Sequence, residues 1–195
     1  MAQSPFEIEL DEMTLAQARR GRVQACERIF RTYQQPAYTV AFRICQCRDT
    51  AQEVTQEAFI TAFRKIRQFR GDSPFWGWLR RVVVNHAIST VRRGPTGEVL
   101  EIQDYHASAD GDQDAVGLAM DLEAALAMLD AEDRAVVWLH DVEGYGHREI
   151  AGLFGMTESF SKTRLSRARS RLRQLLGGAQ EAAGVAAEAA RQSSR

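Results

Sequence analysis

REIAGLFGMTESFSKTRLSRARSRLRQLL, residues 148–176, holds a short helical pattern from Glu149, a tight turn at Gly155 and a second helical pattern loaded with cations. Between Ser159 and Arg173 the second pattern carries Lys162, Arg164, Arg167, Arg169, Arg171 and Arg173, with no acid among them. Ile150, Ala151 and Phe154 on the first, and Leu165, Ala168 and Leu172 on the second, recur at helical spacing. They predict one shared apolar seam. A short helix, a glycine turn and a cationic second helix form the layout of a helix-turn-helix, whose second helix enters the DNA major groove. The stretch therefore predicts DNA binding.

Working outward, the 195 residues suffice for one medium domain or two small ones, and 45% hydrophobic content is enough for real cores. The net charge of −1 hides a strong segregation. From Arg64 to Arg93 there are eight Lys or Arg against the single acid Asp72; from Glu98 to Asp133 there are eleven acids and no Lys or Arg. Two basic surfaces thus flank an acidic stretch. No apolar run reaches the length of a membrane span, and the acidic N-terminus is unlike a signal peptide. Cys26, Cys45 and Cys47 are an odd number without a secretory signal, which favours reduced bystander thiols and a cytoplasmic protein. His86, His106, His140 and His147 stand at no ligand spacing to the Cys45/Cys47 pair, so no metal and no other cofactor is expected.

Helical periodicity predicts an all-α chain. Residues 1–20 read as a polar lead-in with a short helical tail. Ala25, Cys26, Ile29, Phe30 and Tyr33 form a first stripe. Pro36 either interrupts it or opens a new helix, with Tyr38, Ala41, Phe42 and Cys45 following. Thr50 to Ile66 is the cleanest amphipath, with Val54, Ala58, Phe59, Ala62, Phe63 and Ile66 on one face. Gly71-Asp72-Ser73-Pro74 breaks it, and Ser73 is well placed to cap a next helix from about Phe75 to Arg93 with Pro74 in its first turn. That helix is expected to bury Trp78, Leu79, Val82, Val83, Ile88 and Val91, while Phe75 and Trp76 read equally as core or as loop-facing. The breaker cluster Gly94-Pro95-Thr96-Gly97 closes a first domain over residues 21–94. An exposed acidic linker over 95–117 leads to a second helical domain over 118–177. An alanine-rich segment, 178–195, reads as frayed helix or a flexible tail.

The order of these segments resembles the small, two-domain extracytoplasmic-function class of bacterial sigma factors. The resemblance rests on ACERIFRTYQQPAYTVAFRI and QEAFITAFRKIRQFRGDSPFWGWLRRVVVNHAISTVRR in the first domain. In the second it rests on LEAALAMLDAEDRAVVWLHDVEGYGHREIAGLFGMTES followed by KTRLSRARSRLRQLL. It implies a subunit of RNA polymerase rather than an enzyme. The first domain would hold the clamp helices of the largest polymerase subunit and open the promoter −10 element. The second would bind the polymerase flap and read the −35 element.

Site residues follow by match to the family's motifs. Strand opening needs aromatic platforms beside cations, and Phe69, Arg70, Phe75, Trp76, Arg80 and Arg81 supply them around Gly71-Asp72-Ser73. The resemblance implies that Phe69, Arg70, Gly71, Asp72, Ser73 and Pro74 line a pocket for a flipped base, with Asn85, Arg92 and Arg93 approaching DNA from the next helix. For the −35 element it implies Lys162, Thr163, Ser166 and Arg167 in the groove, while Arg164 and Arg169 hold backbone or form pairs within the domain. Ser159-Phe160-Ser161 stands where the family has a Gly-Thr-Val run, and Phe160 is expected to take over the packing of the valine. Gly146 stands where the family has a Ser or Thr cap. Polymerase contact is expected at Glu53, Gln56 and Glu57.

The largest departure precedes those residues. The family's Asp-Ala-Glu-Asp run is here Thr50-Ala51-Gln52-Glu53. The substitution resembles a subgroup switched on by a Ser/Thr protein kinase, which implies phosphorylation of Thr50, with Thr55 as the fallback. An anti-sigma partner ranks below the kinase as the expected regulator. The alternative to Thr50 modification is that it merely caps its helix. The acidic linker reads as solvated chain or, by the resemblance, as a mimic of nucleic acid in basic polymerase channels. The competing function is a conventional helix-turn-helix transcriptional regulator that binds duplex DNA without polymerase. No Ser/His/Asp order, metal-ligand spacing or phosphate-cradling glycine loop supports an enzyme.

Overall fold

The computed structural model describes residues 10–94 and 122–193, with side chains through Gly177. The described residues are helical and contain no strand. The chain divides into two compact units, Met1–Val99 and Leu100–Arg195. The expected linker over 95–117 and the residue Leu118 lie outside the described residues, as do residues 1–9 of the lead-in.

The first unit packs α1 (Glu12–Arg19), α2 (Val23–Cys45), α3 (Arg48–Lys65) with a short 3₁₀ turn at Ile66–Gln68, and α4 (Phe75–Arg93). Helix α1 is capped by Asp11, whose carboxylate accepts from the Thr14 N–H at 2.7 Å and from its hydroxyl at 2.7 Å. These bonds hold the Asp11 carboxyl below the usual carboxylate range. Leu15 and Ala18 are buried, so the end of the lead-in is part of the domain. Helix α2 runs unbroken through Pro36, which neither interrupts it nor starts a new helix. A proline inside a helix removes one backbone bond at a cost of about 3 kcal/mol. Burial of Ile29, Tyr33, Ala37, Ala41 and Ile44 along one face offsets it, since each large apolar side chain contributes about 1.5–3 kcal/mol. Val54, Ala58, Phe59, Ala62 and Ile66 are buried as the amphipath predicts, and Phe63 is half-buried.

Helix α4 departs from expectation in two ways. Pro74, not Ser73, occupies the capping position, and no side chain caps the helix. The buried face comprises Phe75, Trp76, Leu79, Val83, Val84, Ala87 and Ile88, while Trp78, Val82 and Val91 are only half-buried. Apolar residues spread around more than half of α4, so periodicity alone leaves the phase undetermined. The aromatic cluster fixes it: Trp76 stacks on Tyr33 at 5.8 Å with rings 4° from parallel.

The second unit holds α5 (122–127), α6 (Ala131–Val137), a π-helical turn at Trp138–Val142, α7 (His147–Phe154) and α8 (Glu158–Ser193). The Glu143 N–H closes the π turn on the Trp138 carbonyl at 3.1 Å, and the Trp138 indole donates to the Glu143 carboxylate at 3.2 Å. Helix α8 continues through the alanine-rich segment to Ser193, so no backbone break marks the expected tail. Alanine is the strongest helix former, which carries the backbone past Gly177-Gly178.

Candidate nucleic-acid interface

The helix-turn-helix is built from its seam outward. Ile150, Ala151 and Phe154 of α7 and Leu165, Ala168 and Leu172 of α8 are all buried, as the spacing predicts. Gly155 turns the chain at φ 64°, a left-handed conformation that glycine adopts without strain. Thr157 then caps α8, its hydroxyl accepting from the Phe160 N–H at 3.3 Å. At the start of α7, Gly146 has no side chain to cap with. The Glu149 carboxylate instead reaches back to the Gly146 N–H at 3.0 Å, which supplies the reciprocal half of a capping box. Phe160 is half-buried and packs on Phe154 at 5.5 Å between centroids, while Ser161, at the place of the family's valine, is fully buried.

The cations of α8 fall into two groups. Arg164 turns inward to Glu132, to Asp133 at 2.9 Å and to Asp130 at 3.5 Å, and its guanidinium lies 5.3 Å from the Phe160 ring centre. Arg169 forks onto Asp141, one bond being 3.0 Å from Nε, and this pairing depresses the Asp141 carboxyl. Both arginines therefore form pairs within the unit, one of the two roles open to them. Lys162, Thr163, Ser166 and Arg167 are exposed together, at helical spacing on one face near the start of the helix. Lys162 has only a loose contact to Glu158, at 3.9 Å.

Beneath that face lies a polar lock that the sequence did not advertise. Ser161 is fully buried, and its hydroxyl bonds His147 Nδ1 at 3.0 Å. The His147 ring stacks on His140 at 4.8 Å, and His140 Nδ1 meets Asp141 at 2.7 Å. Burial, then His140 and Lys162, push His147 below the ordinary histidine range. The only sequence signal was a polar serine at a core register of α8, where the apolar pattern has a gap.

In the first unit, the loop of residues 69–74 leaves α3 and enters α4. Gly71 sits at φ 88°, which restricts this position to glycine. Arg70, Gly71, Asp72, Ser73 and Pro74 are exposed, but Phe69 is buried against Phe75 and Trp78 at 5.3 and 5.6 Å. Trp76, at 4% exposure, is core as well. Neither Phe69 nor Trp76 offers a free ring face for a base, which corrects the expectation of aromatic platforms there. Phe69 instead packs with Phe75 and Trp78, and Trp76 stacks on Tyr33 of α2. Asn85, Arg92 and Arg93 are exposed on α4, and Arg80 is half-buried.

Glu53, Gln56 and Glu57 are exposed on one face of α3 beside Gln52 and Ile60. Glu57 lies 3.4 Å from His86 of α4. Cys47, not Thr50, occupies the capping position of α3, with no side-chain cap bond. Thr50 is thus the third helical residue and half-exposed. Thr55 is buried at 6% exposure with its hydroxyl donating to the Ala51 carbonyl at 2.7 Å, so it is no accessible fallback.

Comparison with known proteins decides the family. Residues 29–94 match Sigma-70 region 2, and residues 119–172 match Sigma-70, region 4. The chain is 31% identical over 167 residues to the ECF RNA polymerase sigma factor SigM of Mycobacterium tuberculosis, covering 86% of this chain and 85% of that one. This protein is a sigma factor of the extracytoplasmic-function class. It is also 28% identical over 182 residues to the RNA polymerase sigma-H factor of Pseudomonas aeruginosa, covering 86% of this chain and 94% of its relative. Among solved structures it resembles the sigma factor RpoE of Bartonella quintana, determined in complex with the anti-sigma factor NepR. That match has 25% identity and a TM-score of 0.58 over 80% of this chain and 98% of that one. For this sigma factor, then, the first unit is region 2 and the helix-turn-helix is region 4. Among the described residues no helix is long and apolar enough to cross a membrane, and no cluster of metal-ligating side chains occurs.

Proposed function

We propose that this sigma factor brings core RNA polymerase to a two-element promoter, with the 69–74 loop and α4 opening the −10 element and α8 reading the −35 element. The observation that carries the division of labour is on α8. Arg164 and Arg169 are spent on internal pairs, while Lys162, Thr163, Ser166 and Arg167 stay on one exposed face. Side chains on the N-terminal part of a recognition helix reach base edges, and later cations meet phosphates. At the −10 element the exposed Arg70, Gly71, Asp72 and Ser73 receive the displaced base, and Arg80, Asn85, Arg92 and Arg93 track the strand. Phe69 and Trp76 support this surface from below. Glu53, Gln56 and Glu57 face the polymerase clamp helices, and region 4 meets the flap. The test is transcription from a genomic library with core polymerase. Promoter-specific initiation that depends on this protein supports the proposal; autonomous binding to a palindrome with no effect on core polymerase would favour the conventional regulator.

Phosphorylation of Thr50 by a Ser/Thr kinase completes the proposal. A phosphate there adds about −1.5 to −2 charges next to a helix N-terminus that attracts anions. The start of α3 has no side-chain cap, Thr50 is accessible, and Glu53 and Glu57 already make this face acidic. Charge complementarity governs the on-rate and register of such an interface. Core-polymerase binding is compared for wild type, Thr50→Ala, Thr50→Glu and kinase-treated protein. Gain of binding on phosphorylation, abolished in Thr50→Ala, is expected; equal full activity of unmodified wild type and Thr50→Ala ends the switch.

A further inference from the structure

At the base of the 69–74 loop lies an open concavity of about 580 Å³, lined by Arg19, Arg20, Arg67, Phe69 and Arg70. Four arginines from two distant stretches of chain converge there, and among the described residues no acid lines it. The end of α1 is fastened by one bond to the loop and by one to the 3₁₀ turn before it. Arg19 donates from Nη2 to the Phe69 carbonyl at 2.6 Å, and Arg67 donates from Nε to the Arg19 carbonyl at 3.1 Å. These bonds hold cations together that would otherwise repel. They leave the Arg19 Nε–H buried without a hydrogen-bond partner. Among the described residues these arginines have no carboxylate partner, and guanidinium groups gathered in one concavity call for an anion with several acceptor oxygens.

We propose that this concavity is a phosphate site for single-stranded nucleic acid, seating the backbone beside the base that enters the 69–74 loop. The inference rests on the −10 role proposed above and adds Arg19, Arg20 and Arg67 to it. The volume lies in the range of sites that take a nucleotide-sized group. The Phe69 ring is no stacking platform, because the Arg19 guanidinium lies 5.9 Å from its centre and Phe75 and Trp78 pack against it. What the site offers is charge and N–H donors, so it positions the strand without reading sequence. Arg19 acts as the positioning residue that couples α1 to the loop, while Arg20, Arg67 and Arg70 meet the phosphates.

The test uses holoenzyme reconstituted from the full chain and core polymerase, with fork DNA whose non-template −10 segment is single-stranded. Affinity is measured against salt for wild type, Arg20→Ala and the double variant Arg20→Ala/Arg67→Ala. Arg20 is exposed, so its single variant keeps the test independent of any folding defect in the double. Each lost contact lowers the log–log salt slope by about 0.7, the value per phosphate for single strands. The loss is equal on all −10 sequences and absent on fully duplex −35 DNA. Replacing single phosphodiesters by neutral methylphosphonates identifies one linkage at which wild type weakens and the double variant does not. An unchanged slope in both variants overturns the site, as does a free nucleoside monophosphate that displaces the strand at equal concentration. Asn85→Ala separates the two layers. If the arginine variants behave as wild type while Asn85→Ala still impairs opening, the −10 role stands and the phosphate site falls. If wild-type holoenzyme binds fork and duplex alike, the −10 role falls and takes the site with it.

Discussion

Arg164 and Arg167 are three residues apart on one helix, the first paired within the unit and the second exposed. Arg164 joins α8 to the start of α6 through Glu132 and Asp133, the latter 6% exposed at its side chain. Arg164→Ala strands a buried carboxylate, for which about 3 kcal/mol is the low end of the usual cost. The low end applies because the third partner, Asp130, is 71% exposed. Urea unfolding of the variant is expected to show that loss in the region 4 transition. Arg167→Ala is expected to leave the same transition in place and to cost about 1–3 kcal/mol of promoter discrimination if it reads a base edge. Equal weakening on specific and scrambled −35 DNA would reassign it to phosphate. The cation pattern alone does not show which arginine turns inward, because the choice depends on acids some thirty residues earlier; the resemblance to the family left Arg164 between a backbone contact and an internal pair, and the structure shows the pair. The same limit separates Trp76 from Trp78. Two residues of one type, two positions apart, differ only in which meets Tyr33 from another helix.

At the scale of elements, α3, α7 and the first half of α8 were legible, because each has one apolar face and one polar face. Helix α4 was legible in extent but not in rotation, since Val82 and Val91 rival Val84 and Ala87. Pro36 misled for a different reason: a local rule about proline yields to tertiary burial on both sides of it. The junction of the π turn, α7 and α8 makes its own prediction. His147 faces His140 of the π turn and Glu158, Lys162 and Arg169 of α8, and its pKa is lowered chiefly by burial. A lowered folded pKa means that the unfolded chain binds the extra proton first. Stability from the neutral ring is therefore present above the ordinary histidine value of about 6.5 and is lost as pH falls below it. The midpoint of region 4 unfolding is expected to drop as pH falls below about 6.5, the ordinary value that the unfolded chain retains. In His147→Gln that dependence flattens. A midpoint independent of pH below that value in wild type would remove the histidine from the account. Asp141 acts lower on the scale, its contribution with Arg169 present above the ordinary carboxylate value and lost as pH falls through its depressed one.

Across the whole molecule, each unit carries its own core. Leu79 is fully buried in region 2, and Ile150 is fully buried in region 4. Leu79→Ala is expected to cost about 2–5 kcal/mol in the first unit and Ile150→Ala a similar amount in the second, each without shifting the other's transition. Hydrogen exchange resolved by segment checks this, and common protection loss in both units would contradict it. Division into two helical units was legible from the breakers at Gly94-Pro95 and from the alternation of basic and acidic blocks. The basic concavity was not, because Arg19 and Arg20 lie in a stretch set aside as lead-in, and only the docking of α1 brings them to Phe69. Division of labour also runs around the circumference of α8. Ser161, Arg164, Leu165, Ala168 and Arg169 hold the helix in place, while Lys162, Thr163, Ser166 and Arg167 bear none of that duty. Substitutions on the outer set therefore cost little folding stability. On the proposed reading of the −35 element, a lineage then drifts to a new set of target genes without passing through a misfolded intermediate, and exchanging those four side chains is the route to mutually blind regulators.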